Sequence, residues 1–237
     1  MNESGTIAFV FAMPIELEPF AQLVPLTETH INGVTVHEGT LAGRAVVATV
    51  TGMGTALATA GTLALLDAYP VRWVLVVGIT GALEDDTPIG TLVLPEIVVN
   101  SETGRAFRPT PLAEGTSAGK MWTTNGLTTS PDDLAALRAQ GVVSLDMETA
   151  AIAEVCDARE IPWSVFRVIS DRASDGTVTE EVFKLSNQDG TPNVEAIQRY
   201  MSEHPDRLPL LAKMAEDAAL ATRTAVEAAI GASARIP

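Results

Sequence analysis

Cysteine is all but missing from this chain. Cys156 is the only one in 237 residues, so no intrachain disulfide can form and a reducing compartment is the expectation. Set in an apolar helical pattern, that thiol reads as buried rather than nucleophilic. Lysine is nearly as scarce, at positions 120, 184 and 213, and 15 Lys and Arg stand against 30 Asp and Glu for a net charge of −15. A nucleic-acid partner demands a surplus of cations to neutralise phosphates, so the balance argues against that class. It also argues against an anionic substrate, unless local arginines override it. His30, His37 and His204 are scattered, without Cys or His partners at ligand spacing, so neither a metal nor another cofactor is implied. No apolar run reaches the roughly 20 residues that cross a bilayer. The start, Met-Asn-Glu-Ser-Gly, has neither the basic residues nor the apolar stretch of a secretion signal. The expectation is a cytoplasmic protein with no membrane partner.

What is present is a regular alternation of apolar strands and amphipathic helices. With 46% hydrophobic residues and no repeat or evident linker, residues 1–237 read as a single α/β domain. Thr6 to Ala12 is a short buried strand, and Met13-Pro-Ile-Glu16 opens a helix with Pro14 in its first turn. Gly33 to Thr40 and Arg44 to Thr51 flank Leu41-Ala-Gly43 as a β-hairpin. Gly52-Met-Gly54 leads into an Ala/Leu-rich helix ending near Tyr69. Trp73 to Gly78 is apolar throughout, as a strand covered on both faces is, and it breaks into Ile79-Thr-Gly-Ala-Leu83. Thr91 to Val99 reads as one strand and residues 101–131 mainly as loop, with Lys120 to Thr124 extended. Helix is expected from Glu148 to Arg159, strand from Trp163 to Ile169, a short helix around Glu180 to Leu185, and a closing helix from Pro205 to about Ile230. The architecture implied is a mixed, partly closed central sheet flanked by helices.

Chemistry concentrates at two places, the run from Val143 to Cys156 containing Asp146-Met147-Glu148, and the strand that ends in Ser170-Asp171. Carboxylates at the ends of neighbouring elements converge on one ligand in many α/β sites. Each residue also has a purely structural account. Glu16 suits a helix N-terminus, and Asp146 suits an N-cap. Arg167, inside an apolar strand, requires a partner that a structural ion pair would supply. Asp171 could cap a helix. Gly52-Met-Gly54 and Gly78-Ile-Thr-Gly81 are tight turns, which also let ligand oxygens approach backbone N–H groups.

Taken together, Ala12-Met-Pro-Ile-Glu16, the two glycine loops, Asp146-Met-Glu148 and Arg167-Val-Ile-Ser-Asp171 resemble the nucleoside phosphorylase/nucleosidase family, and most of all its methylthioadenosine/S-adenosylhomocysteine nucleosidases. The resemblance spans roughly residues 6–100 and 143–172. It implies that Glu16 and Arg167 hold a catalytic water, that Glu148 binds the ribose hydroxyls while Met147 packs on the sugar, and that Asp171 protonates the purine. Gly54, Gly81 and Thr80 fall in the loops that line the ribose or anion pocket, and Ser170 beside the acid is assigned as a substrate contact. Ile79 stands where nucleosidases commonly carry a water-holding serine, with Thr80 as the substitute. Pro14 and Ile15 replace acidic residues of the family pattern. The family's sites lie near subunit interfaces, which makes a homodimer the expectation.

The family divides by nucleophile, water or phosphate. Phosphorylases carry an arginine in the first loop, which Met13-Pro-Ile-Glu16 lacks, and often another two residues before the second glycine loop, where Val76 stands here. Arg44 is the dissent, at the spacing of an arginine that some phosphorylases lend to a neighbouring subunit's phosphate. Otherwise it is a solvated hairpin residue. The leading expectation is therefore hydrolysis of a purine ribonucleoside, such as a 5′-substituted adenosine, with a phosphate-dependent phosphorylase as alternative. A non-catalytic nucleoside-binding protein is the reading from another class. Gly126 to Asp132 lacks the aromatic residue that family members place over the base. Trp122, Trp163 and Phe166 are the candidates to replace it, each also suited to the core.

Overall fold

The computed structural model describes residues 5–31, 33–113, 115 and 117–237. Eleven strands form one mixed sheet. β1 (Thr6–Phe11), β4 (Arg44–Val50), β5 (Val71–Ala82) and β11 (Trp163–Arg172) run parallel to one another at its centre. The hairpin strands β2 (Leu26–Ile31) and β3 (Val34–Leu41) extend it beyond β4. On the other side lie β10 (Val142–Asp146), β9 (Lys120–Thr123), β7 (Ile97–Asn100) and β8 (Ala106–Phe107), while the short β6 (Leu92–Val93) pairs with β11.

Why the central strands read as unbroken apolar runs is visible in their alternation. Along β5, Trp73, Leu75 and Val77 face one helical layer, built by α1 (Pro14–Leu23) and α7 (Leu208–Ser233). Val74 and Val76 face the other, built by α2 (Thr55–Ala68) and α4 (Thr149–Ala158). Both faces are covered, so neither parity has a reason to be polar. β11 obeys the same rule, with Phe166 and Val168 on the first side and Trp163, Val165 and Ile169 on the second. Arg167 breaks the pattern on the α4 side, 1% exposed.

The site originates in how β5 is shared. One edge pairs with β11 from Val74 to Ala82. The opposite edge pairs with β1 only as far as Val76, and then with β10 at Gly81 and Ala82, in the antiparallel sense. Between them the sheet splits, and Val77 to Thr80 have no strand neighbour on that edge. Such a parting at the strand ends is where open α/β sheets bind ligands. β11 also carries a bulge, since Ile169 pairs with Thr80 while Asp171 pairs with Gly81. The extra residue, Ser170, re-aims the end of the strand.

The elements expected from the sequence are present, with corrections. β5 runs on through the stretch read as a break, because its second edge is held by β10. The strand expected from Thr91 to Val99 is two, parted around Pro95, which has no N–H to give a ladder. β2, α3 (Pro131–Ala139) and α6 (Val194–Glu203) are additional to the sequence expectation, although Ser130 and Asn193 cap the two helices in the ordinary way. The closing helix is preceded by a 3-10 turn, Pro205–Arg207, and runs further than expected, to Ser233. The sheet is mixed but stays open rather than partly closed. Its path ends at β2 and β8, and the extra connection is spent on β11, which branches from β5.

α1 matters most for the site because it carries Glu16, and Phe20 fixes it to the sheet. Phe20 is fully buried, its ring 4.4 Å from that of Phe9 and 5.8 Å from that of Phe11. Phe20→Ala is expected to cost about 3–5 kcal/mol in a urea denaturation, as truncations of buried aromatic residues do. A loss under about 1 kcal/mol would mean that α1 is held by something else.

Candidate active site

A buried guanidinium organises the split. Arg167 Nη1 donates to the Ile79 carbonyl at 3.2 Å and faces Glu16 Oε1 at 3.4 Å. Its Nη2 reaches Asp146 Oδ2 and Glu148 Oε2, each at 3.0 Å, and Nε reaches Thr149 Oγ1 at 3.3 Å. Ile79 lies in the unpaired stretch of β5, so Arg167 takes over a carbonyl that a strand would otherwise have satisfied. The N–H of the same residue donates to Glu16 Oε1 at 2.8 Å. Glu16 Oε2 meanwhile accepts from Ala12 and Met13 at 2.8 and 2.9 Å, closing the first turn of α1. The helix-terminus account of Glu16 and its place in the site therefore both hold, one oxygen for each.

Gly78 makes this arrangement possible. It pairs with Arg167 across the strands at φ +153°, and a Cβ there would collide with Glu16 Oε1 and sit 2.6 Å from Arg167 Nη1.

Three carboxylates share one guanidinium. Burial raises the pKa of Glu16, against the opposing pull of Arg167 and three backbone N–H groups. Burial lifts Glu148 to about 7, a shift that Arg167 opposes and the neighbouring Asp146 reinforces. Burial also weakens the Arg167 cation, but the charges of Asp146, Glu148 and Glu16 more than compensate, so it holds its proton more firmly than usual. Asp146 lies two residues before the N-cap of α4, which is Glu148, and serves the helix start from there. It accepts from the backbone N–H of Thr149 at 2.8 Å and of Glu148 at 3.3 Å, and Thr123 Oγ1 donates to it at 2.6 Å. Glu148 is tied across the site to the first glycine loop, where the Gly54 N–H donates to its Oε1 at 2.9 Å.

Asp171 stands at the other end of the crevice. Ser170 Oγ donates to its Oδ1 at 2.6 Å, and Gly81 leaves room for it, since a Cβ there would approach Oδ2 to 3.1 Å. Burial raises its pKa, the Ser170 hydroxyl opposes the rise, and the charge of Asp175 adds to it. Glu16, Thr80, Gly81, Met147, Glu148, Arg167, Ser170 and Asp171 all line one cavity of about 680 Å³. Gly54 acts from behind it, through its bond to Glu148. Thr80 Oγ1 donates to the Leu145 carbonyl at 2.7 Å, tying β5 to β10 where the split closes.

Arg44 is placed elsewhere. It opens β4 at the opposite end of the strands and donates to the carbonyls of Ser233 and Ile236, at 3.3 and 2.8 Å. This arginine ties down the end of α7, which corrects its reading as a solvated hairpin residue and sets it apart from this chain's own pocket. Trp122, Trp163 and Phe166 also lie outside the cavity. Phe166 and Trp163 are core, the latter donating from Nε1 to Asp157 Oδ1 at 2.8 Å, and Trp122 packs beside Leu134 and Leu137. The aromatic side chain in the wall is Phe183, accompanied by Met13, Met53 and Met214. Sequence reasoning misses these because they sit in loops or on a helix far along the chain.

The electrostatics of the cluster can be tested in two ways. Gly78→Ala forces apart the Glu16–Arg167 contact and is expected to lower stability by about 3 kcal/mol or more, read by urea denaturation. A raised carboxylate pKa means that the folded state binds the Glu148 proton more tightly than the unfolded state. Its contribution to stability is therefore full below the ordinary value of 4.5 and is lost as the pH rises toward about 7. Glu148→Gln is expected to flatten stability across that window, and an unchanged slope in a pH series of melts would sink the assignment.

Known proteins resemble this chain in sequence and in fold. The family model described as the phosphorylase superfamily matches residues 6–115 and 112–202. A 5′-methylthioadenosine/S-adenosylhomocysteine nucleosidase of Actinobacillus succinogenes is 30% identical over 200 residues, which is 72% of this chain and 86% of that protein. The like-named protein of Tolumonas auensis is 26% identical over 209 residues, 75% and 90% of the two chains. In fold, the chain is similar to the Helicobacter pylori nucleosidase of the same name, with a TM-score of 0.77 at 17% identity over 98% of this chain and 99% of the other. It is similar too to the futalosine hydrolase of that organism, with a TM-score of 0.76 at 18% identity over the full length of both. On the span of the family match and on the Actinobacillus relative, the chain belongs to the phosphorylase superfamily.

Proposed function

We propose that the protein hydrolyses the N-glycosidic bond of a purine ribonucleoside, a 5′-substituted adenosine such as methylthioadenosine or S-adenosylhomocysteine, releasing free base and sugar. The observation that carries this reading is the surplus of buried negative charge on the pocket floor, three carboxylates to one arginine, facing a carboxyl group whose proton burial helps to hold. The nucleosidase relatives point the same way.

Cleavage of the C1′–N9 bond develops positive charge on the ribosyl ring and negative charge on the departing base. Asp171 gives its proton to purine N7, so that the base leaves neutral, and Ser170 fixes the orientation of the carboxyl group. The water sits at the Glu16–Arg167 contact, which at 3.4 Å is the longest in the cluster. Glu16 accepts the proton as the oxygen bonds to C1′. Glu148 accepts hydrogen bonds from the 2′- and 3′-hydroxyls, with Met147 against the sugar face. The negative floor is preorganised for a cationic ring and strengthens its hold as the charge develops.

The same charge disfavours phosphate as nucleophile. An oxyanion site needs cations and N–H donors free to receive it. Arg167 is engaged by three carboxylates, and Arg44 is engaged at the far end of the sheet. Among the described residues no group of His, Cys, Asp and Glu is arranged to hold a metal ion, and no helix is long and apolar enough to cross a membrane. The single thiol, buried with its pKa pushed above the usual range, is consistent with a cytoplasmic setting. A homodimer is the assembly we propose, on the family resemblance alone.

The test is base release from adenosine, inosine and 5′-thio-substituted adenosines, with and without phosphate, read by chromatography. Free base and free sugar without phosphate are expected. Strict phosphate dependence with a sugar 1-phosphate would overturn the mechanism. Asp171→Asn is expected to lower kcat by about 10²–10⁴-fold while ligand binding persists. A chain that binds nucleosides and turns none over would be a binding protein instead.

A further inference from the structure

The catalytic cluster accounts for the floor of the cavity and leaves one wall without a role. That wall is the first three turns of α7, which bring Leu210, Lys213, Met214 and Asp217 to the cavity, together with Val182 and Phe183 of α5 (Glu180–Phe183). It is apolar apart from one ion pair, between Lys213 Nζ and Asp217 Oδ1. Lys213 is 61% exposed and Asp217 18%, so a recessed carboxylate lies beneath an ammonium on a long, flexible stem. The other charged residues in the lining beyond the floor already have backbone partners. Arg172 Nε donates to the Thr87 carbonyl at 3.0 Å, and Asp175 Oδ1 accepts from the Thr177 N–H at 2.8 Å.

We infer that Lys213 and Asp217 form a subsite for an α-amino-acid zwitterion carried on the 5′ sulfur of the nucleoside, Lys213 meeting its carboxylate and Asp217 its ammonium. This rests on the nucleosidase reading above. A lone cation in the wall would favour an anionic tail, and a lone carboxylate an amine. Two opposite charges one helical turn apart match a group that carries both and has no net charge. Without such a tail the two side chains satisfy each other, and the wall offers a small thioether only Leu210, Met214, Val182 and Phe183. With it, one pair is exchanged for two. An exposed i,i+4 pair is weak, so opening it is easily offset.

The experiment compares kcat/KM for S-adenosylhomocysteine and for methylthioadenosine in the parent chain and in a Lys213→Ala, Asp217→Asn double variant. The ratio of the first to the second is expected to fall roughly three- to tenfold, the scale of a partly exposed charge contact, with the change carried in KM. Each single variant should lower the ratio by part of that amount. An unchanged ratio, whether both activities hold or fall together, would reduce the pair to a helix-stabilising contact. A parent chain that cleaves methylthioadenosine but not S-adenosylhomocysteine also overturns the subsite and leaves the nucleosidase reading standing. A parent that cleaves neither removes both.

Discussion

The structure depends on a guanidinium buried among carboxylates where the central sheet divides. The division leaves the N–H and C=O of Ile79 without a strand partner, and buried backbone groups left in that state are costly. Glu16 answers the donor and Arg167 the acceptor. Everything nearby is fitted to that exchange. Gly78 gives up its side chain to admit the pair. Asp146 and Glu148 hold the second nitrogen of the arginine, and Asp146 at the same time starts α4. Several elements meet on one side chain, so the ion cluster is a piece of tertiary structure whatever chemistry it serves.

Its energetics run against stability and in favour of chemistry. Three buried carboxylates on one cation are more negative than the fold requires; burial raises the pKa values of Glu16 and Glu148, and for Glu148 the charges of Asp146 and Glu16 add to the rise. Two helical layers packed on a sheet that is apolar on both faces supply the burial that offsets it. In the proposed reaction, a preorganised negative field, set up during folding, needs no rearrangement when positive charge appears on the sugar.

The sequence discloses these features unevenly. Strands covered on both faces are legible as apolar runs, and an arginine inside one of them demands partners. Glu16, Glu148 and Asp171 can be found because each sits near an element boundary that the sequence marks, and because their spacing matches a family pattern. β2 escapes because Leu-Thr-Glu-Thr-His-Ile is half exposed and mostly polar. α3 and α6 escape because neither buries a long apolar stripe. The wall formed by Phe183, Lys213 and Asp217 cannot be read at all, since residues far along the chain reach the cavity only by tertiary packing. Arg44 is a different case. Its spacing suggests a ligand contact in a neighbouring subunit, and within this chain it holds the end of a helix.

The bulge at Ser170 sets Asp171 relative to Arg167, and both ride on the same strand. A strand measures distance in fixed steps of about 3.3 Å with alternating faces. Asp171 and Arg167 are thus joined by a ruler with coarse graduations, and mutation can move one against the other only by inserting or deleting a whole residue. The wall of the proposed tail subsite is made of two helices, the start of α7 and the short α5, which pack through side chains and can shift in small steps. Descendants of this chain can therefore drift in the tails they accept while the bond they address stays where it is.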